Sequence, residues 1–172
     1  MKRILAAVCC ISLCSISALA QKKAMGAAMT DQQFIDLAAQ TDMLEANLGQ
    51  LAQTAASSQQ VKDYAQTLVT DHTADFGQLH TLAQQASLTV PDAIDAAHDK
   101  AMIDPFQKLK DAAFDRKYVQ EMIAGHTKAI AIYKKEAADA QNPAVKSYAE
   151  QTLPTLEKHL SGAKDLEKAK AK

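Results

Sequence analysis

The sequence is poor in residues that break helices or cross-link chains. Its 172 residues include three cysteines, five glycines, four prolines and no tryptophan. All three cysteines lie within the first 14 residues, so the rest of the chain has no thiol with which to form a disulfide. The scarcity of glycine and proline, beside many alanine, glutamine, leucine and lysine residues, predicts a helical domain stabilised by its own core.

An excess of one charge is also lacking. Nineteen Lys and Arg residues face 20 Asp and Glu residues, for a formal net charge of −1. A basic surface that would bind nucleic acid is therefore not predicted. The length suits a single domain.

The first 20 residues predict a secretory signal peptide. Lys2 and Arg3 precede an apolar run over 4–19, and Ala18-Leu19-Ala20 is a small-x-small cleavage site. The run is short for a membrane span, so the mature protein is expected to have no transmembrane segment, a retained anchor being the alternative. Cleavage near Ala20 would place the protein in the periplasm or cell envelope. Residues 21–29 are expected to form a flexible lead-in.

Four later segments have apolar residues at every third or fourth position, the spacing of an amphipathic helix. Their predicted starts carry capping signals: Thr30 with Gln33, Ser57 with Gln60, Asp104 with Pro105, and Asn142 with Pro143. The third helix is expected to have a break near Asp111. The fourth contains Pro154 and is expected to fray from Gly162 onward.

The connection over 87–103 is too long for a tight hairpin turn. It contains Pro91 and a stretch that can form a short helix over 92–102. The predicted fold is therefore an all-α, ferritin-like four-helix bundle over 30–166. Two antiparallel hairpins are joined by a long crossover that contains a short helix. Residues 167–172 form a Lys-rich tail.

Four polar side chains interrupt the apolar stripes, one on each predicted helix: Glu45, His72, His126 and His159. A titratable group on such a stripe is costly unless it finds a partner. Glu45 and His72 are equally far from the first hairpin turn, and His126 and His159 are equally far from the second. Since facing positions of an antiparallel hairpin are equidistant from its turn, all four are predicted to meet near mid-height.

Several blocks resemble an exported bacterial family catalogued as domain of unknown function 4142. They are Glu45, Val69-Thr70-Asp71-His72, Phe114-Asp115-Arg116-Lys117-Tyr118, His126, Leu153-Pro154 and His159-Leu160. The resemblance covers about Thr30 to Leu166. It implies a ferritin-like bundle in the periplasm or envelope and brings no established reaction.

The four polar residues suit one metal ion better than a di-iron pair. Di-iron bundles use Glu-x-x-His motifs, whereas Val69, Ile123 and Leu156 stand three residues before the histidines. Three imidazoles and one carboxylate suit zinc, copper or iron(II). Residues expected to support the site from outside are Asp71, Asp115, Tyr118 and Tyr148.

A closed polar network that fixes the register of the helices is the competing interpretation. The function that the sequence favours is that of an exported envelope protein with a binding or stress-related role. Its Glu/His cluster is expected to be buried. A mononuclear metal protein or a redox enzyme is the alternative. Since the chain has no glycine-rich phosphate loop or nucleophile motif, enzymatic activity is not favoured and no catalytic residue is assigned. The sequence indicates no particular protein partner or oligomeric state. Three buried imidazoles further predict that stability falls below about pH 6.

Overall fold

The computed structural model describes residues 29–170, most of which lie in four long helices. They are α1 (Asp31–Ala55), α2 (Gln59–Ala86), α3 (Asp111–Asp139) and α4 (Pro143–Lys170). Helix α1 packs along α2 and α3 packs along α4, while contacts between α2 and α4 and between α1 and α3 close the bundle. The predicted all-α bundle of two antiparallel hairpins is confirmed.

Residues 1–28 and 171–172 lie outside the described part of the chain. The signal peptide and nearly all of the lead-in therefore stay predictions. Within residues 29–170, none of the helices combines the length and the apolar character needed to cross a membrane.

The helix starts follow local capping chemistry, with one correction. Thr30 and Gln33 form the predicted capping box at the start of α1. Helix α2 is capped by Ser58, whose side chain accepts a hydrogen bond from the backbone N–H of Val61. The predicted cap, Ser57, is wrong because its hydroxyl instead donates to Asp115 over 2.8 Å.

The crossover contains a compact helical segment rather than one regular short helix. An α-helical turn at Ala96–His98 leads into a π-helical turn at Asp99–Ile103 and a 3-10 turn at Asp104–Phe106. The third long helix was expected from Asp104 with a break near Asp111. The break separates the two parts, and α3 begins at Asp111. Buried Phe106 packs edge-on against Phe114 of α3 with ring centroids 5.7 Å apart. The backbone changes direction between them, where Lys110 is extended and Asp111 has a positive φ of 54°.

The expectation that α4 frays from Gly162 is also wrong. The helix continues to Lys170 because Ala163 is fully buried and Leu166 packs against the same apolar cluster. Asp165 and Lys168 form a further ion pair of 3.2 Å along this last part. Burial of one face thus outweighs the Lys-rich composition of the other.

Two aspartates connect the helix starts to the hairpin turns and define the topology. The Asp31 carboxylate accepts hydrogen bonds from the backbone N–H groups of Gln141 and Asn142 over 3.2 and 3.0 Å. The Asp115 carboxylate accepts from the N–H groups of Ser57 and Ser58, both over 3.1 Å. The start of α1 therefore lies at the second turn and the start of α3 at the first. The two turns lie at opposite ends of the bundle, as the crossover requires.

Removal of the Asp115 carboxylate should loosen the first turn measurably. Asp115→Ala leaves two backbone N–H groups and one hydroxyl without their charged acceptor, and such hydrogen bonds contribute about 1.5–3 kcal/mol each. We expect the free energy of unfolding in urea to fall by about 2 kcal/mol or more. The control Asp63→Ala removes an exposed carboxylate that contacts Gln59, and it should cost less than about 0.5 kcal/mol. Equal losses in the two variants would contradict this role.

A polar layer divides the core into two apolar clusters. The cluster at the second turn includes Phe34, Leu79 and Leu156. The cluster at the first turn includes Leu48, Leu68, Phe114, Met122 and Ala163. On every helix the predicted polar residue falls between members of the two clusters. The layer therefore lies near mid-height, with apolar packing on both sides.

Candidate metal centre

The structure brings together Glu45, His72, His126 and His159, each from a different helix. Their exposed fractions are 7%, 3%, 0% and 2%, so all four are buried. One oxygen of Glu45, Oε2, lies 3.2 Å from Nε2 of His72 and 3.4 Å from Nε2 of His126. The ring centroid of His159 lies 5.3 Å from that of His72 and 5.2 Å from that of His126.

Each imidazole is held by one ring nitrogen. The contacts are His72 Nδ1 to Asp42 Oδ1 at 2.8 Å, His126 Nδ1 to the Met122 carbonyl at 2.9 Å, and His159 Nε2 to Asp71 Oδ2 at 2.8 Å. An oxygen acceptor at one nitrogen fixes the tautomer of a neutral ring and leaves the lone pair of the other nitrogen available.

The other nitrogen of each ring is buried without a hydrogen-bond partner among the described residues. These atoms are Nε2 of His72, Nε2 of His126 and Nδ1 of His159. Oε2 of Glu45 likewise lacks one, because its contacts with the first two rings are short but lack hydrogen-bond geometry. Unpaired buried polar atoms cost free energy, and a cluster of them calls for an explanation.

The spacing of these atoms fits a metal ion. One ligand atom from each histidine lies within 4.8 Å of the others. In a tetrahedral site with bonds of about 2.0–2.2 Å, ligand atoms lie roughly 3.3–3.6 Å apart. The distances from Glu45 to His72 and His126 already match this value, and the imidazoles need to close by no more than about 1.5 Å. The three imidazoles, with a Glu45 oxygen close to two of them, thus fit one metal ion.

Opposite charges set the protonation of Glu45 and His72. Burial alone would raise the pKa of Glu45, but the imidazoles of His72 and His126 outweigh it and lower that pKa. Burial would likewise lower the pKa of His72, but the Glu45 carboxylate and the Asp42 hydrogen bond raise it to about 10. Without a metal, His72 is therefore an imidazolium at neutral pH, paired with Glu45.

The pKa values of Asp42 and His159 shift in the direction that burial favours. Burial raises the pKa of Asp42 to about 7, although its hydrogen bond to His72 opposes the shift. Burial lowers the pKa of His159, with the Asp71 hydrogen bond opposing and the neighbouring imidazoles reinforcing it. Nearby carboxylates thus already hold His72 charged at neutral pH, so this ring gains no further charge in acid. His159 keeps the predicted acid sensitivity.

The supporting residues predicted from the sequence are placed differently from one another. Asp71 contacts His159, as described above. The Tyr118 hydroxyl is buried without a hydrogen-bond partner among the described residues, and the Tyr148 hydroxyl donates to Asp75 over 2.7 Å. The described hydrogen bonds of Asp115 are to the first turn rather than to a histidine.

Two carboxylates near the centre were missed from the sequence. Asp42 holds His72, and Asp75 holds Tyr148 close to the cluster. Both stand three residues from a predicted ligand, Asp42 before Glu45 and Asp75 after His72. Residues three apart on a helix share a face, so this spacing is the signal that identifies them.

Solved structures with a similar fold include three forms of a metal-bound protein, CopM. The Cu(II)-bound form aligns with a TM-score of 0.65 at 18% identity, and the Cu(I)-bound form with 0.64 at 20%. The Ag-bound form aligns with 0.63 at 19%. Each alignment covers 79% of this chain and 93–94% of CopM. At this identity the likeness concerns the fold.

Sequence comparison gives the family directly. No curated protein has a sequence that matches this chain. The family model described as domain of unknown function DUF4142 matches residues 17–166, which include the four helices almost entirely and all four residues of the centre. The chain therefore belongs to the DUF4142 family.

Proposed function

We propose that this protein binds one copper ion through His72, His126 and His159, with Glu45 as the fourth ligand. The observation that carries the proposal is the set of three buried ring nitrogens without hydrogen-bond partners, each turned inward by an oxygen on the opposite side of its ring. A polar cluster built only for stability would pair those nitrogens with one another or with tyrosine hydroxyls.

Copper is favoured among the metals that suit this donor set. Imidazole nitrogens bind zinc, copper and iron, and Cu(II) is bound most tightly of the divalent first-row ions by a given nitrogen and oxygen site. The fold likeness to CopM in copper-bound and silver-bound forms supports the same choice. When bound, the ion would supply the positive charge that the Glu45 carboxylate otherwise receives from imidazolium.

Metal binding at this centre competes with protons. His72 must lose a proton from Nε2 before that nitrogen can act as a ligand, and the Asp42 hydrogen bond keeps the remaining proton on Nδ1. Copper affinity is therefore expected to rise with pH across the neutral range. Because the bound ion replaces the proton of His72, the negative charge of the buried Glu45 carboxylate stays compensated.

The competing function is a closed structural network, favoured by the short contacts of Glu45 with two imidazoles. Titration of the purified protein with Cu(II), Zn(II) and Fe(II), followed by elemental analysis, separates the two. We expect one ion per chain, bound most tightly for copper, with release of protons. A protein that retains no stoichiometric metal would favour the network.

We place this copper protein outside the cytoplasm, in the periplasm or cell envelope. The support is the sequence pattern of residues 1–20, which has a basic start, an apolar run and a small-x-small cleavage site. The proposed role is to bind copper there as a buffering or sequestering protein.

A further inference from the structure

Among residues 29–170, three of the clefts are lined by members of the centre, and each is lined by a different set of them. A cleft of about 410 Å³ between α2 and α4 is lined by His72 and His159. A cleft of about 330 Å³ between α1, α2 and the crossover is lined by His72 and Asp42. A smaller one, of about 170 Å³, between α1, α3 and the crossover, is lined by Glu45. Of these three, the α2–α4 cleft alone is lined by two of the imidazoles.

The α2–α4 cleft also carries two carboxylates above the imidazoles. The Asp71 side chain is 33% exposed and binds Nε2 of His159. Asp75 accepts a hydrogen bond from the hydroxyl of buried Tyr148, which fixes the position of that carboxylate in the cleft. Exposed Lys158 is the one lysine or arginine in the lining of this cleft.

Two imidazoles of the centre line the same cleft and lack partners that a metal ion would supply. His72 and His159 are 97% and 98% buried, and each has a ring nitrogen without a hydrogen-bond partner in the described part of the chain. Carboxylate oxygens suit hydrated cations, whereas imidazole nitrogens suit copper after it has lost water. An ion entering this cleft would therefore meet the carboxylates while it is hydrated and the imidazoles after it has lost water.

We infer that the metal ion enters and leaves through the α2–α4 cleft. Asp71 and Asp75 in this cleft bind the hydrated ion first, before it reaches the imidazoles. This inference rests on the proposed function. The α1–α2 cleft is the less suitable path because only one imidazole, that of His72, lines it. Its carboxylate Asp42 is 2% exposed, whereas Asp71 in the α2–α4 cleft is 33% exposed.

A matched pair of alanine substitutions tests the route. Ala74 lines the α2–α4 cleft and Ala46 lines the α1–α2 cleft, so Ala74→Phe and Ala46→Phe place the same bulk in each. Stopped-flow mixing with Cu(II) gives the association rate, and addition of a chelator to the loaded protein gives the dissociation rate. We expect Ala74→Phe to slow both rates about tenfold or more and to leave the equilibrium affinity within about twofold, since only a barrier changes. Ala46→Phe should leave both rates near wild type.

The charges in the α2–α4 cleft can be tested separately from its shape. Asp75→Asn should slow Cu(II) association and Lys158→Gln should accelerate it, with both effects larger at low ionic strength. Circular dichroism spectra of all variants confirm that the bundle is folded. Slowing by Ala46→Phe without slowing by Ala74→Phe would overturn the route, as would rates indifferent to both variants. A wild-type protein with no copper affinity at equilibrium would refute the proposed function itself, and the route with it.

Discussion

Replacement of His126 should abolish high-affinity copper binding. His126 is fully buried, its Nδ1 binds a backbone carbonyl within its own helix, and its Nε2 faces the centre. His126→Gln keeps a polar side chain of comparable length but removes the imidazole nitrogen that would bind copper. Loss of a residue that only orients a ligand costs roughly 10–100-fold in metal affinity, so loss of the ligand itself should cost more than 100-fold. Isothermal titration with Cu(II) measures the change.

The matched control for His126→Gln is His98→Gln on the crossover. The His98 ring is 54% exposed and contacts Asp95, so its removal changes the number of histidines without touching the buried cluster. We expect copper affinity within about twofold of wild type in this variant. Thermal unfolding of both variants shows that they remain folded. Equal loss of affinity in the two would place the copper site elsewhere.

Neutralising Glu45 should give the largest change in the stability of the metal-free protein. Glu45→Gln keeps the size of the side chain but removes the carboxylate that compensates buried His72. Breaking a buried ion pair on one side typically costs about 3–5 kcal/mol. We expect a loss of this order in the free energy of unfolding at pH 7, measured by urea denaturation without metal. The control Glu157→Gln breaks an exposed 2.9 Å pair with Lys134 and should cost less than about 1 kcal/mol.

The direction of each pKa shift determines how the stability of the metal-free protein changes with pH. The pKa of His72 is raised from 6.5 to about 10, so its contribution is complete below pH 6.5 and is lost as pH rises toward 10. The pKa of Glu45 is lowered, so its contribution is present above pH 4.5 and is lost in acid. The lowered pKa of His159 adds to the acid loss below pH 6.5. The raised pKa of Asp42, about 7, acts against this acid loss, because protonation of its carboxyl below pH 7 favours the folded state. Wild-type stability should therefore fall most clearly as pH rises from 6.5 toward 10.

Glu45→Gln should reduce the alkaline fall in particular, because the Glu45 carboxylate is the strongest of the groups that raise the pKa of His72. Unfolding curves from pH 6 to 10 for both proteins give the comparison. An alkaline fall of equal size in wild type and Glu45→Gln would contradict the assigned pairing of Glu45 with His72.

The centre was largely accessible from the sequence because helix geometry relates distance along the chain to position in a hairpin. Glu45 and His72 are equally far from one turn, and His126 and His159 from the other. Once the crossover places the turns at opposite ends, the four residues meet at one height. Asp71 was found because it is adjacent to a stripe position and so reaches inward from its edge.

The rest depended on tertiary contacts that a local pattern does not contain. Ser57 has the sequence of a helix cap, but the distant Asp115 takes its hydroxyl. The Lys-rich end of α4 remains helical because Ala163 finds a place in the core. The orientation of the His72 ring depends on its contact with Asp42, which lies on α1 and meets the ring only because α1 packs against α2. The sequence around each of these residues does not indicate which distant residue it contacts.

X-ray absorption spectroscopy of the copper-loaded protein is the most direct test of the centre. We expect one copper per chain, with the outer-shell scattering of three imidazole rings and one oxygen ligand. The His126→Gln protein, if it retains any copper, should show at least one imidazole fewer. Copper bound with no imidazole scattering, or a wild-type protein that holds no stoichiometric copper, would contradict a copper centre at His72, His126 and His159.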